Sequence, residues 1–217
     1  MGVTWYGIKQ EKYYREVIDR IGEYEKTFYK DINAVNNYLY YETSDTAYFS
    51  MGKSKYLHQH RTFLDQLKNG FSSLYDLEQI NYFELIKNLD AINDKLKHYD
   101  SVIDIIAQKT YKRGFKDYGY VGEMRVKAHF LEKHKHFVDQ TLLLNMRRRE
   151  KDYFIRYEGA YVIQFREIGN RLNHSINSNA QIDIAQRKEL NEALFNYMNL
   201  FDKIVQLDKE IGSHTNK

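Results

Sequence analysis

Proline is absent from all 217 residues. At an average usage of about 5%, roughly ten would be expected in this length. Each would fix φ, remove a backbone donor and stop or kink a helix. A chain with none can form long uninterrupted helices, and its apolar spacing predicts that it does. From Tyr82 the apolar residues run Tyr82, Leu85, Leu89, Ile92, Leu96, Tyr99, Ile103 and Ile106, alternating steps of three and four. Leu190, Leu194, Tyr197, Phe201 and Ile204 repeat the pattern near the end. Tyr14, Val17, Ile21, Tyr24 and Phe28 repeat it near the start, before a stutter to Ile32 and Val35. A fourth run, Phe154, Tyr157, Tyr161, Phe165, Ile168, Leu172 and Ile176, reads as one more helix. Sustained alternation that would argue for a strand is missing. The expected fold class is all-α, an elongated antiparallel helical bundle with a core sustained by 42% hydrophobic residues.

The expected breaks are few. Gly70-Phe71-Ser72-Ser73 carries a helix-stop glycine followed by an N-cap serine, and Ile176-Asn177-Ser178-Asn179-Ala180 reads as a polar hairpin turn. Arg113 to Gly122 is the one glycine-rich connection, and a softer break lies between Glu42 and Ser54. The run from 73 to 112 alone predicts a helix about 60 Å long. An even number of long passes would bring both chain ends to one end of the molecule.

Most catalytic chemistry fails on inspection. There is no cysteine to act as nucleophile or metal thiolate, no His-Glu-x-x-His, no phosphate-binding loop and no nucleophile elbow. None of the eight histidines has an acidic residue three positions before it, which rules out the paired ligands of a di-iron bundle. His129, Glu132 and His136 would share one helix face and could hold zinc with an open position. With Lys127, Lys133, His134 and Lys135 around them, they read better as a wet basic surface. Neither a metal nor a cofactor is expected.

A formal net charge of +3 does not demand a polyanionic partner. Positive charge is nonetheless concentrated between Lys109 and Lys151, with 12 Lys or Arg against 5 Asp or Glu. At the end of that segment Arg148 and Asp152 are four apart, as are Asp152 and Arg156, and Arg147 lies three before Glu150. The segment can therefore pair its own charges along a helix. The competing reading is an arginine between helices whose guanidinium fork holds a small carboxylate. Nucleic acid is not expected, because the basic stretch is short, interleaved with acids and lacks a groove-reading motif. Twenty tyrosines suit core positions, and a few would line a semi-buried polar cavity well.

Two stretches carry a resemblance. The first is Gly114-Phe115, then Gly119-Tyr120-Val121-Gly122-Glu123-Met124-Arg125, continued by Ala128-His129-Phe130-Leu131-Glu132. The second is Arg147-Arg148-Arg149-Glu150-Lys151-Asp152-Tyr153-Phe154-Ile155-Arg156. Over roughly residues 110 to 165 the sequence resembles the helical bimodular ligand-binding domain, the extracytoplasmic sensor module of bacterial chemoreceptors and some hybrid histidine kinases. The arginine at 149 departs from the usual pattern. The resemblance implies two stacked four-helix bundles sharing long helices, within one sensor domain over 1–217. It also implies a place between two membrane spans on the periplasmic or extracellular side, and dimerisation through a parent receptor.

The ligand implied is a small organic acid, and the candidate ligand-binding residues are Arg125, His129, Arg148 and Arg156. No catalysis is expected of the module, whose output would be a kinase or chemotaxis domain elsewhere in the receptor. Trp5 and Tyr6, with the tail after Ile211, would form the membrane-proximal ends. The rival expectation is a cytosolic helical adaptor that binds protein partners, and a more distant one is a nucleic-acid-binding helical protein.

Overall fold

The computed structural model of the chain describes the backbone at residues 2–75 and 83–212, and side chains at 11–12, 14–75 and 86–212. The Trp5 and Tyr6 side chains and the tail beyond Gly212 lie outside the described residues, as do the Tyr82 and Leu85 side chains. The fold is all-α, with no strand among the described residues. Eight α-helices are described: α1 Gly2–Tyr41, α2 Thr46–Met51, α3 Lys55–Tyr75, α4 Phe83–Arg113, α5 Gly119–Lys133, α6 Gln140–Arg156, α7 Gly159–Ser178 and α8 Ile184–Ile211. A 3-10 turn, Glu42–Ser44, follows α1.

Local chemistry sets several of these ends. The Asp45 side chain accepts from Ala47 N, Asp139 accepts from Thr141 N and Leu142 N, and Asp183 accepts from Gln186 N. These caps start α2, α6 and α8 by satisfying donors that have no intrahelical partner. The soft break between Glu42 and Ser54 is real, since α1 ends at Tyr41 and α3 begins only at Lys55.

Two expected boundaries are corrected. Gly70 does not stop a helix, because α3 runs through it to Tyr75. The Tyr24 ring of α1 lies so close that a Cβ at Gly70 would fall 2.4 Å from its Cε1, and the Tyr24 hydroxyl donates to the Gly70 carbonyl at 2.9 Å. The glycine admits a tyrosine; it does not end the helix. Conversely, the run from Phe154 to Ile176 is two helices. The backbone turns at Tyr157, which is held left-handed at φ 56 and donates its N–H to Tyr153 O. Its ring packs on Tyr153 at 5.7 Å. The left-handed position is a tyrosine, with Gly159 only opening the next helix, so apolar spacing runs straight across the break. A further break at residues 134–139, between α5 and α6, was likewise unmarked.

The chain divides into two compact units: Met1–Tyr48 with Gly52–Ile105, and Phe49–Met51 with Ile106–Lys217. In the first, α1 packs along α3, and Leu64, Leu67 and Leu96 form a core with Tyr24, Phe71 and Tyr99 around it. In the second, α5, α6, α7 and α8 close around one continuous core that runs from Val121 to Val205. Phe165 sits at its centre, 4.0 Å from the Phe201 ring and 5.3 Å from Tyr197. Such ring pairs each add about 0.5–1.5 kcal/mol beyond burial. The residues of α4 up to Ile105 belong to the first unit and those from Ile106 to the second.

Candidate functional site

In the second unit, the buried face of α6 is Leu143, Met146, Glu150 and Tyr153. That spacing turns one carboxylate, Glu150, into the core and leaves Arg147 at its edge. The Arg147 side chain is 14% exposed, with Nε 3.5 Å from Glu132 Oε1 on α5 and Nη1 3.6 Å from Glu150 Oε2. Glu150 Oε2 also accepts from the hydroxyl of Tyr197 on α8, which is fully buried. Burial holds the Glu150 carboxyl above its ordinary value, against the opposing pull of Arg147 and of the Tyr197 hydrogen bond. Burial, and then the neighbouring Glu150, pushes the Tyr197 hydroxyl well above its own.

Arg147 is incompletely satisfied. A hydrogen-bonded guanidinium–carboxylate contact is about 2.7–2.9 Å long, and both of its ion pairs are longer. Its Nη1 is buried with no hydrogen-bond partner. The contrast with Arg113, another half-buried arginine of this unit, is direct. Arg113 donates from Nε to Asp208 Oδ1 and from Nη2 to Asp208 Oδ2 at 3.4 Å, and its guanidinium lies over the Phe154 ring at 5.4 Å. Asp208 is fully buried.

The four expected ligand-binding residues scatter around this cluster. Arg125 pairs with Asp117 at 3.1 Å. This contact depends on Gly122, where a Cβ would meet the Asp117 carbonyl at 2.3 Å. His129 is exposed and its Nδ1 meets Glu132 Oε2 at 2.7 Å, so it reaches Arg147 through a shared acid. Arg148 is exposed, and Asp152 pairs with Arg149 at 3.0 Å instead of with Arg148. Arg156 is exposed and donates to the Tyr161 hydroxyl, its guanidinium 5.5 Å from that ring's centroid. The inward arginine is Arg147. Extending the Leu143–Met146 period by one turn reaches the buried Glu150 but not Arg147. His129, Glu132 and His136 do not share one helix face, since α5 ends at Lys133 and His136 lies beyond it.

The first unit holds a buried cluster that apolar counting passed over. His60 of α3 falls in the Leu57, Leu64, Leu67 period and is buried with it. Its Nδ1 lies 2.6 Å from Asp31 Oδ1 on α1, and Asp31 is fully buried. Its Nε2 makes no hydrogen bond and lies 3.8 Å from Asp100 Oδ1 on α4, whose other oxygen takes Lys68 Nζ at 2.7 Å. Burial, then the Asp31 charge, raises the nearby Tyr99 hydroxyl far above its usual range.

Among the described residues there is no group of three or more His, Asp or Glu arranged to hold a metal ion. No described helix is long and apolar enough to cross a membrane. Comparison with known proteins finds no family model, no curated protein and no solved structure that matches this chain.

Proposed function

We propose that the chain is the ligand-sensing module of a signalling receptor, which performs no chemistry and takes a small organic acid at Arg147. The observation that carries this reading is the unsatisfied Arg147 fork: a half-buried guanidinium with long ion pairs and a buried, orphaned Nη1. A ligand carboxylate offers the planar, two-oxygen partner that Glu132 and Glu150 do not supply at bonding distance. The resemblance of residues 110 to 165 to helical bimodular sensors supports the same chemistry. Ligand binding at Arg147 would loosen the Glu150–Tyr197 contact and bias α8, the last helix, against α6. The parent receptor would supply dimerisation and the flanking membrane spans.

Calorimetric and thermal-shift titration with acetate, malate and succinate tests this. An acid present at about 100 times its dissociation constant adds roughly 2.7 kcal/mol to stability, and Arg147→Lys should abolish the shift while Arg148→Ala keeps it. No shift with any acid would remove the reading.

A second reading, a helical adaptor, draws on α1. Tyr14, Ile18 and Ile21 follow one another at steps of four and three while 45%, 67% and 44% exposed. An apolar seam of this kind suits a partner helix. Apolar runs of about 20 residues on both sides of this segment in the parent chain would decide for the receptor.

A further inference from the structure

A second polar feature of the second unit lies away from Arg147, in the groove between α7 and α8. Along α7, Arg166, Asn170, Asn173 and Asn177 recur at one face; along α8, Asn191, Phe195, Asn199 and Asp202 do the same. The two faces border a groove of about 300 Å³ whose floor is Leu194 and Met198. Both ends are closed by side chains. At one, Arg166 donates from Nε (3.0 Å) and Nη2 (2.8 Å) to Asp202 Oδ1; at the other, Asn191 Nδ2 donates to Asn177 Oδ1 at 2.7 Å.

Asn173 Oδ1 accepts from Asn177 Nδ2 at 3.2 Å, and the other amides between these ends are under-used. Asn191 Oδ1 is buried with no hydrogen-bond partner. Asn170 and Asn199 make no side-chain hydrogen bond among the described residues, and the Phe195 ring stands 68% exposed beside them. Asparagine is a poor helix former, because its side chain competes for backbone hydrogen bonds. Five asparagines on facing helix surfaces around one ring are therefore a local departure from good folding chemistry, of the kind expected where a ligand binds.

The chemistry of the lining selects the ligand. The one charged residue among the lining is Asp202, and Arg166 beside the groove neutralises it, so neither an anion nor a cation is favoured. Amides offer donors and acceptors in alternation, which matches a ring of hydroxyl groups, and an exposed aromatic face matches the C–H face of a pyranose. A groove of this size is at the small end of ligand sites. We propose that the α7–α8 groove binds a neutral carbohydrate of one or two rings, stacked on Phe195 and hydrogen-bonded by Asn170, Asn173, Asn191 and Asn199. This site is independent of the one at Arg147.

The test is an amide-resolved NMR titration of the full chain with glucose, galactose, N-acetylglucosamine, maltose and cellobiose, taken to tens of millimolar. At least one sugar should give saturable shifts confined to α7 and α8, including the side-chain amides of Asn170 and Asn199. Phe195→Ala should weaken binding by about tenfold or more, the loss expected for one ring-face contact, while Phe195→Trp retains it. These residues are exposed or half-exposed, and unchanged helical melting of each variant separates lost binding from lost folding. Malate in place of sugar should leave the groove signals still, so failure here and failure at Arg147 are read separately. Absence of saturable groove shifts with all five sugars, or wild-type binding by Phe195→Ala, overturns the proposal.

Discussion

The two units bury charge in different ways. In the second, both buried carboxylates face an arginine: Asp208 has Arg113 and Glu150 has Arg147. In the first, the fully buried Asp31 faces His60. An arginine stays charged at every accessible pH, whereas histidine as a residue type changes charge near neutrality. Helix packing differs in parallel. Within the first unit, among the described side chains, the buried residues of α4 are Leu89, Leu96 and Ile103, one every seven, and the intervening Ile92 is 39% exposed. In the second unit α8 buries Leu190, Leu194, Tyr197, Phe201 and Ile204 with further residues between them. The same three-four spacing thus yields a narrow seam in one place and a wide buried face in the other. What separates them is the number of neighbours each helix finds, not its own pattern.

The largest effect should come from breaking the permanent ion pair. Arg113→Ala leaves Asp208 buried without its counter-ion and should cost about 3–5 kcal/mol. His60→Ala leaves a buried Asp31 oxygen without its hydrogen-bond partner and should cost about 1–3 kcal/mol. Denaturant titration followed by hydrogen exchange in each unit measures both, and equal losses would erase the distinction drawn here.

Overpacking sharpens the contrast at the next level. Gly122→Ala in the second unit drives a Cβ into the Asp117 backbone, while Gly70→Ala in the first meets only the Tyr24 ring, which can swing. Both fall in the range of about 1–3 kcal/mol for overpacking, with Gly122→Ala the costlier. The same melts report it, and the reverse order would show that the α5 turn adjusts more freely than a tyrosine.

A smaller effect is linked to pH. Because Glu150 has a raised carboxyl in the folded state, the folded chain holds that proton more tightly than the unfolded chain. Its contribution is therefore most favourable below the ordinary carboxylate value and fades as pH rises through the raised one. Glu150→Gln keeps an acceptor for Tyr197 and removes the titration. The stability difference between this variant and wild type, followed from mildly acidic to neutral pH, should shift in favour of the variant as pH rises. A flat difference would mean that Arg147 cancels the burial.

The smallest effect is at the motif's outward arginine. Arg148→Ala should change stability by no more than about 0.5 kcal/mol, as expected of an exposed side chain away from buried contacts. A larger loss would place Arg148 in the network now given to Arg147.

Particular residues show how far the chain could be read in advance. The α8 stripe from Leu190 to Ile204 is buried as spaced, and the 42–54 break is where low helix propensity put it. On α1 the reading slipped, because Tyr14, Ile21 and Phe28 are partly exposed while Asp31, Ala34 and Tyr38 turn inward. Apolar counting skips a buried aspartate, and it skipped His60 and Glu150 for the same reason. Their partners lie on other helices: Asp31 is 29 residues from His60 and Glu150 is 47 from Tyr197.

The chain's lack of proline and its recurrent three-four apolar steps determined by themselves that its fold class is all-α, because backbone donors and side-chain periodicity act within a few residues. Only the tertiary structure decided that Gly70 is a seat for Tyr24, that Tyr157 is a turn, and that Arg147 faces the interior while Arg148 faces out. The Gly70 and Arg147 choices depend on neighbours far away in sequence, Tyr24 and Glu132. Packing and desolvation are settled by what a side chain meets across space, and local spacing carries no record of it.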